Sequence, residues 1–205
     1  MTREIRSEAE LREIVRAPMR VVAEKDIDRI DPESRRFIEA SPFFLLATSA
    51  ADGTCDVSPR GDPPGSVLVL DEQTLVFGDR KGNRRLDAFR NILQRPRVGM
   101  LFVVPGYGDT VRVNGSARIV TEAPYLPRLA QQDVVPQLAV EVRVEELFSH
   151  CSRAFSRSRL WEPDSWPDRD TVPTAGQLAR SQSGSRIPAR LIDAALRRTL
   201  RDNNY

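Results

Sequence analysis

Two cysteines in 205 residues are too few for a disulfide scaffold. Cys55 and Cys151 lie far apart and neither has metal-ligand spacing, so no metal site is expected. Such scarcity suits a reducing compartment, and a cytoplasmic protein is expected. No apolar run approaches the ~20 residues that a transmembrane helix needs. The charged stretch 3–13 lacks the apolar centre of a signal peptide. Charge of one sign is also missing: 31 Lys and Arg face 29 Asp and Glu, a net +2. No strong global field draws the chain to nucleic acid or membrane, and neither is expected as a partner. Internal repeats are absent too. The length suits one domain and leaves little room for a second.

Against that balance, one stretch stands out. Residues 77–91 read as the end of a strand, a basic turn and a helix. Gly78 and Gly82 bracket the turn, where positive φ is tolerated. Asn83 is in position to cap the helix, with Leu86, Phe89 and Leu93 at helical spacing. Arg80, Lys81, Arg84 and Arg85 crowd the turn, against the sense of the helix dipole. Four cations at an already positive helix start make a phosphate site; a solvated basic turn is the equal alternative. The turn lacks the Gly-Lys-Ser/Thr ending of a Walker A loop. It also lacks exposed aromatics for stacking bases, since Phe89 falls at a core position.

The rest is organised around short strands. Ser7 to Glu10 is a capping box for a helix with Leu11, Ile14 and Val15 on one side. Residues 21–30 form an arm. Asp31 and Pro32 start a second helix, stopped by Ser41-Pro42. The apolar run 43–48 reads as a strand covered on both faces. A turn at Asp52-Gly53 joins it to an alternating strand over 54–58, followed by a proline-rich loop over 59–65. A second hairpin spans 67–78. Strands follow over 98–104 and 111–119, with a bend or bulge at Gly115. Leu138, Val140, Val142 and Val144 give the clearest strand alternation. Residues 147–160 read as a helix with Phe148, Cys151 and Phe155 on its apolar side. His150 and Cys151 then point about 100° apart, which argues against a nucleophile-base pair; Cys151 is expected in the core. Residues 164–185 read as surface loop and 188–200 as a last helix. The fold expected is mainly β with peripheral helices: a six- to seven-stranded antiparallel split barrel over 42–146. A helical arm (1–41) precedes it and a helical and loop extension (147–205) follows.

Three segments carry a family resemblance: Asp56-Val-Ser-Pro-Arg-Gly-Asp62, Asp79-Arg-Lys-Gly-Asn-Arg-Arg-Leu-Asp87 with Asn91, and Gly108-Asp-Thr-Val-Arg-Val-Asn-Gly-Ser-Ala117. Together they resemble the FMN-binding split-barrel proteins of the pyridoxamine 5′-phosphate oxidase family. Ser156 to Trp161 resembles the family's C-terminal element. The resemblance covers about residues 30–165 and implies a homodimer with an FMN site at each subunit interface.

It further implies that Arg80, Lys81 and Arg84 hold the FMN phosphate, with Asp79 and Asn83 shaping that turn. Val57 and Pro59 would wall the flavin ring, and the backbone of Ser58 and Arg60 would donate to it. Arg60 would face the charge that develops on reduction. Asn114, Arg157 and Trp161 would come from the partner. Simpler roles stand beside these: an Arg60–Asp62 pair, a bulge at Asn114, and dimer packing by Trp161. The implied activity is FMN-dependent oxidation or reduction of a small molecule or by a nicotinamide donor. An F420-dependent reductase, or a flavin- or haem-binding module without turnover, is the alternative. The substrate-phosphate ligands of the true oxidases have no clear counterpart here, which argues against the vitamin B6 reaction.

Overall fold

The computed structural model describes residues 2–202. Three helices lead: α1 (Glu8–Ile14), α2 (Arg20–Ala23) and α3 (Pro32–Ala40). Four strands follow, β1 (Phe43–Ser49), β2 (Cys55–Gly61), β3 (Val67–Val69) and β4 (Thr74–Gly78). Helix α4 (Asp87–Gln94) separates these from β5 (Arg97–Val103), β6 (Thr110–Val120) and β7 (Ala139–His150). The chain ends in α5 (Arg153–Ser158), α6 (Ala175–Ser183) and α7 (Ala189–Asp202). Among the described residues no helix is long and apolar enough to cross a membrane.

The strands form one antiparallel sheet in the order β2-β1-β5-β6-β7-β4-β3. The sheet is rolled. Phe44 on β1 packs edge-on against Phe77 on β4, with ring centroids 5.1 Å apart, although three strands separate β1 from β4 in the sheet order. Phe102 on β5 meets the same ring at 5.1 Å. Inward residues alternate along each strand, as in Val111, Val113 and Val140, Val142, Val144. Ile38 of α3 and Phe89 and Ile92 of α4 complete this core. A smaller cluster of Val76, Leu126, Leu129 and Ala139 lies on the far side of β4 and β7.

Local signals account for most element ends. The Asp31 carboxylate accepts from the backbone N–H groups of Glu33 and Ser34, and Pro32 opens α3. Ser7 caps α1 as expected, yet α1 buries no residue: Leu11, Ile14 and Val15 are exposed. Further on, the arm does attach. Ile27 bridges to Leu147, and Ile30 is buried with its N–H on the Glu72 carbonyl.

Five expectations change. Strand β1 is buried on one face only, through Phe44, Leu46 and Thr48. The loop expected from residue 59 begins at 62, because β2 continues through Pro59 and Arg60 to Gly61. A proline is tolerated there because β2 is an edge strand. The segment 164–185 contains α6, which Thr174 and Gln177 close with a reciprocal capping box.

The helix expected over 147–160 shrinks to α5, because β7 runs on to His150. The cause is a bulge. Asn114 pairs with Glu146 and Gly115 with Val144, leaving Glu145 extra on β7. Inward positions therefore switch from Val140, Val142 and Val144 to Leu147. That broken alternation imitates helical spacing. Gly115 is required here by close approach: a Cβ would lie 2.0 Å from the Arg143 carbonyl oxygen. Cys151 follows the strand and is exposed, contrary to the expected core position.

Candidate functional site

Rolling the sheet brings the end of β2 against the end of β4. Asp56, Ser58 and Arg60 occupy one face of β2, and Val57 and Pro59 the other. Arg60 Nη1 lies 3.6 Å from Asp79 Oδ1, and its guanidinium lies 5.7 Å from the Phe89 ring centroid. Asp62 does not pair with Arg60. It accepts from Arg80 Nε at 2.7 Å, and Arg80 Nη2 donates to the Leu129 carbonyl at 2.8 Å. The two ion pairs therefore cross between strand ends. Burial raises the Asp79 carboxyl above its ordinary value, with Arg60 opposing. Burial likewise lowers Arg60, with Asp79 opposing.

Two polar atoms at this junction are left over. Ser58 Oγ and Arg60 Nε are buried and have no hydrogen-bond partner among the described residues. An unpaired buried donor or acceptor costs about 1–3 kcal/mol, so both suit a polar ligand group. Asn91 ties α4 to β1 and β2, donating to Thr48 Oγ1 at 3.0 Å and Asp56 Oδ2 at 2.8 Å. Asn91 belongs to the quoted motif, but its bridging role needs the packed helix to be seen.

Main-chain donors differ from those expected. The Asp62 N–H donates to the Pro42 carbonyl and Ala50 N–H to the Thr54 carbonyl. With the unbroken β1–β2 register, the N–H groups of Ser58 and Arg60 face β1. The free edge of β2 instead presents the N–H groups of Val57 and Gly61, since Pro59 has none.

The basic turn is an irregular segment. Asn83 does not cap α4: its Oδ1 accepts from the Arg85 N–H, and α4 starts after Leu86. Positive φ falls on Arg84 (61°) and Leu86 (59°), not on Gly78 or Gly82. Gly78 is needed for space, because a Cβ would lie 2.9 Å from Pro136. Lys81, Arg84 and Arg85 are exposed, and Arg85 pairs with Asp87 at 2.7 Å. The buried side of α4 is Ala88, Phe89, Asn91 and Ile92, while Leu93 is 77% exposed.

Asn114 lies on the outer face of the sheet, away from Arg60. Its Nδ2 donates to Glu146 Oε1 at 2.8 Å, and Arg112 Nη2 reaches the same oxygen at 3.0 Å. Register places Val57, Ala47, Gly99 and Asn114 in one row across the sheet, and Pro59, Leu45, Leu101 and Arg112 in the next. On this face the β2, β1 and β5 positions are apolar and partly exposed. Trp161 stands at another place: its Nε1 donates to the Tyr107 carbonyl at 2.7 Å, and its ring stacks on Phe155 at 5.7 Å. Arg157 is exposed on α5. One chain thus joins Ser58, Arg60, Asp79 and Arg80, and leaves Asn114, Arg157 and Trp161 elsewhere.

The profile of the pyridoxamine 5′-phosphate oxidase family matches residues 30–151, more than half of the chain. The chain belongs to that family. No curated protein matches the chain. Among solved structures, a candidate pyridoxamine 5′-phosphate oxidase from Lactobacillus delbrueckii is similar at 25% identity and TM-score 0.48, covering 60% of this chain and 98% of its own. HupZ from Group A Streptococcus is similar at 23% identity and TM-score 0.48, covering 60% and 95%. HutZ, the heme storage protein of Vibrio cholerae, is similar at 16% identity and TM-score 0.40, covering 58% and 94%.

Proposed function

We propose that the chain is an FMN-dependent oxidoreductase, working as a cytoplasmic homodimer with a flavin site at each subunit interface. Its donor is a nicotinamide or another small molecule. The observation that carries this reading is the pair of partnerless buried atoms, Ser58 Oγ and Arg60 Nε, beside the Phe89 ring. A half-buried guanidinium held by one carboxylate at 3.6 Å keeps hydrogen-bonding capacity for a second anionic or carbonyl group. The residues fit FMN in that respect, and the exposed cations Lys81 and Arg84 suit its phosphate.

When bound, FMN supplies the acceptance and return of a hydride or electrons. The chain supplies position and charge. Arg60 offers Nε toward the ring edge that gains negative charge, while Asp79 and Phe89 hold the guanidinium in place. The Val57 and Gly61 N–H groups on the free edge of β2 serve as donors, in place of those of Ser58 and Arg60. Val57, Leu45, Ala47 and Leu101 give the second copy an apolar face on which to pack. Asn114, Arg157 and Trp161 then complete the site of the partner. Asp79 needs no acid-base role for hydride transfer; it orients Arg60.

The test is a visible absorption spectrum of purified protein, before and after adding FMN and dialysing, followed by addition of a nicotinamide donor. A retained, perturbed flavin spectrum that bleaches with the donor is expected. No retained flavin in folded protein would contradict the reading and turn the search to the deazaflavin F420 or haem. A retained flavin that no donor bleaches faster than free FMN would leave a flavin-binding module.

A further inference from the structure

Away from the junction of β2 and β4, cationic side chains also gather around one aromatic ring. On the outer face of β7 the Phe148 ring is flanked by two of them. The Arg112 guanidinium carbon lies 4.1 Å from its centroid and Lys25 Nζ 4.9 Å. His150, two residues on and on the same face, has its ring centroid 4.8 Å from that of Phe148. The bulge at Glu145 sets this alignment, since it turns Glu146, Phe148 and His150 outward together. Glu146 is the carboxylate that answers the group, and it is shared between Arg112 and Asn114. Arg112 Nε is buried with no hydrogen-bond partner among the described residues. Burial, then the charges of Arg112 and Lys25, hold His150 below its ordinary value.

We propose that Lys25, Arg112 and His150 form an anion site around Phe148 that holds the carboxylate or phosphate group of the small-molecule substrate. The substrate role rests on the flavoenzyme reading; anion binding itself does not. Two features suit an acid with an apolar body. Arg112 offers a partnerless N–H beside an aromatic wall. The Phe148 ring, flanked by Arg112 and Lys25, gives the body an apolar surface to lie against.

The sequence provides its own reporter, because His150 is the sole histidine among 205 residues. Its ring C–H signal is followed by NMR in the full chain, with and without FMN, during pH titrations. Inorganic phosphate and benzoate are added separately at ionic strength held constant with chloride. An anion beside His150 favours the charged ring, so its pKa should rise, saturably, from below the ordinary ~6.5. Tighter action of phosphate assigns a phosphate ester, and tighter action of benzoate a carboxylate. Lys25→Met and Arg112→Gln should each weaken the effect about tenfold, the scale of one charge-assisted hydrogen bond. Lys25 is exposed on the arm, so its variant preserves the fold if the other does not. A His150 pKa that neither anion moves, or that moves equally in Lys25→Met, overturns the site. A response in protein that cannot hold FMN would keep the anion site and remove its link to flavin chemistry.

Discussion

Arg80 is held by the Asp62 carboxylate and the Leu129 carbonyl, with its side chain 16% exposed. Its alanine variant strands a half-buried carboxylate and should cost about 2 kcal/mol in urea unfolding. Ser58 behaves in the opposite sense. Its hydroxyl is already buried without a partner, so Ser58→Ala should leave apoprotein stability level or slightly raised while weakening FMN binding. Parallel urea and flavin titrations of the two variants separate fold from site. Asp79 adds a pH signature. Its folded pKa is raised by burial, so the folded state keeps a proton that the unfolded chain has released. Stability from this group is full below the ordinary ~3.8 and falls as pH rises through the raised value. Asp79→Asn should remove that slope, seen as urea midpoints measured from pH 3.5 upward. The residue identities here were legible in the sequence. The pairing was not: Arg60 joining Asp79 and Arg80 joining Asp62 requires two distant strand ends to meet, which only the rolled sheet achieves.

Among the elements, β6 and β7 decide where the outward side chains go. Gly115→Ala would drive a Cβ to within 2.0 Å of a backbone oxygen, so the two strands must part or slip. A loss of at least about 3 kcal/mol is expected, above ordinary overpacking because the obstacle is main chain. The same bulge explains why the C-terminal half of β7 was read as helix: alternation is a local signal, and one extra residue reverses its phase. The first half of β7, with its uniform alternation, was legible for the same reason, whereas β1 was legible as an unbroken apolar run of strand length whose one-sided burial was not. The start of α4 was misplaced by another local competition. Asn83 spends its side chain on the Arg85 N–H, and Leu86 takes a left-handed conformation before the helix begins. The arginine-rich turn still follows directly on the Arg60–Asp79 and Arg80–Asp62 pairs, so the neighbourhood of the candidate site was readable while its geometry was not.

At the scale of the whole molecule, the outer face of β2, β1 and β5 stands without a cover among the described residues. Val57 is 65% exposed, and Leu45, Ala47 and Leu101 are partly so. A second copy packing there would explain why β1 carries an unbroken apolar run although the core uses one side of it. Leu101→Glu should therefore yield monomers in sedimentation velocity and release flavin, while circular dichroism keeps its β signal. The most direct measurement of the central claim is a flavin-fluorescence titration of apoprotein with FMN, comparing wild type with Arg60→Ala. Saturable quenching at one FMN per chain is expected, weakened about 10- to 100-fold by the substitution, the scale of a lost hydrogen bond to a charged group. Folded wild-type protein that shows no saturable quenching, or an Arg60→Ala variant that binds FMN as tightly as wild type, would contradict it.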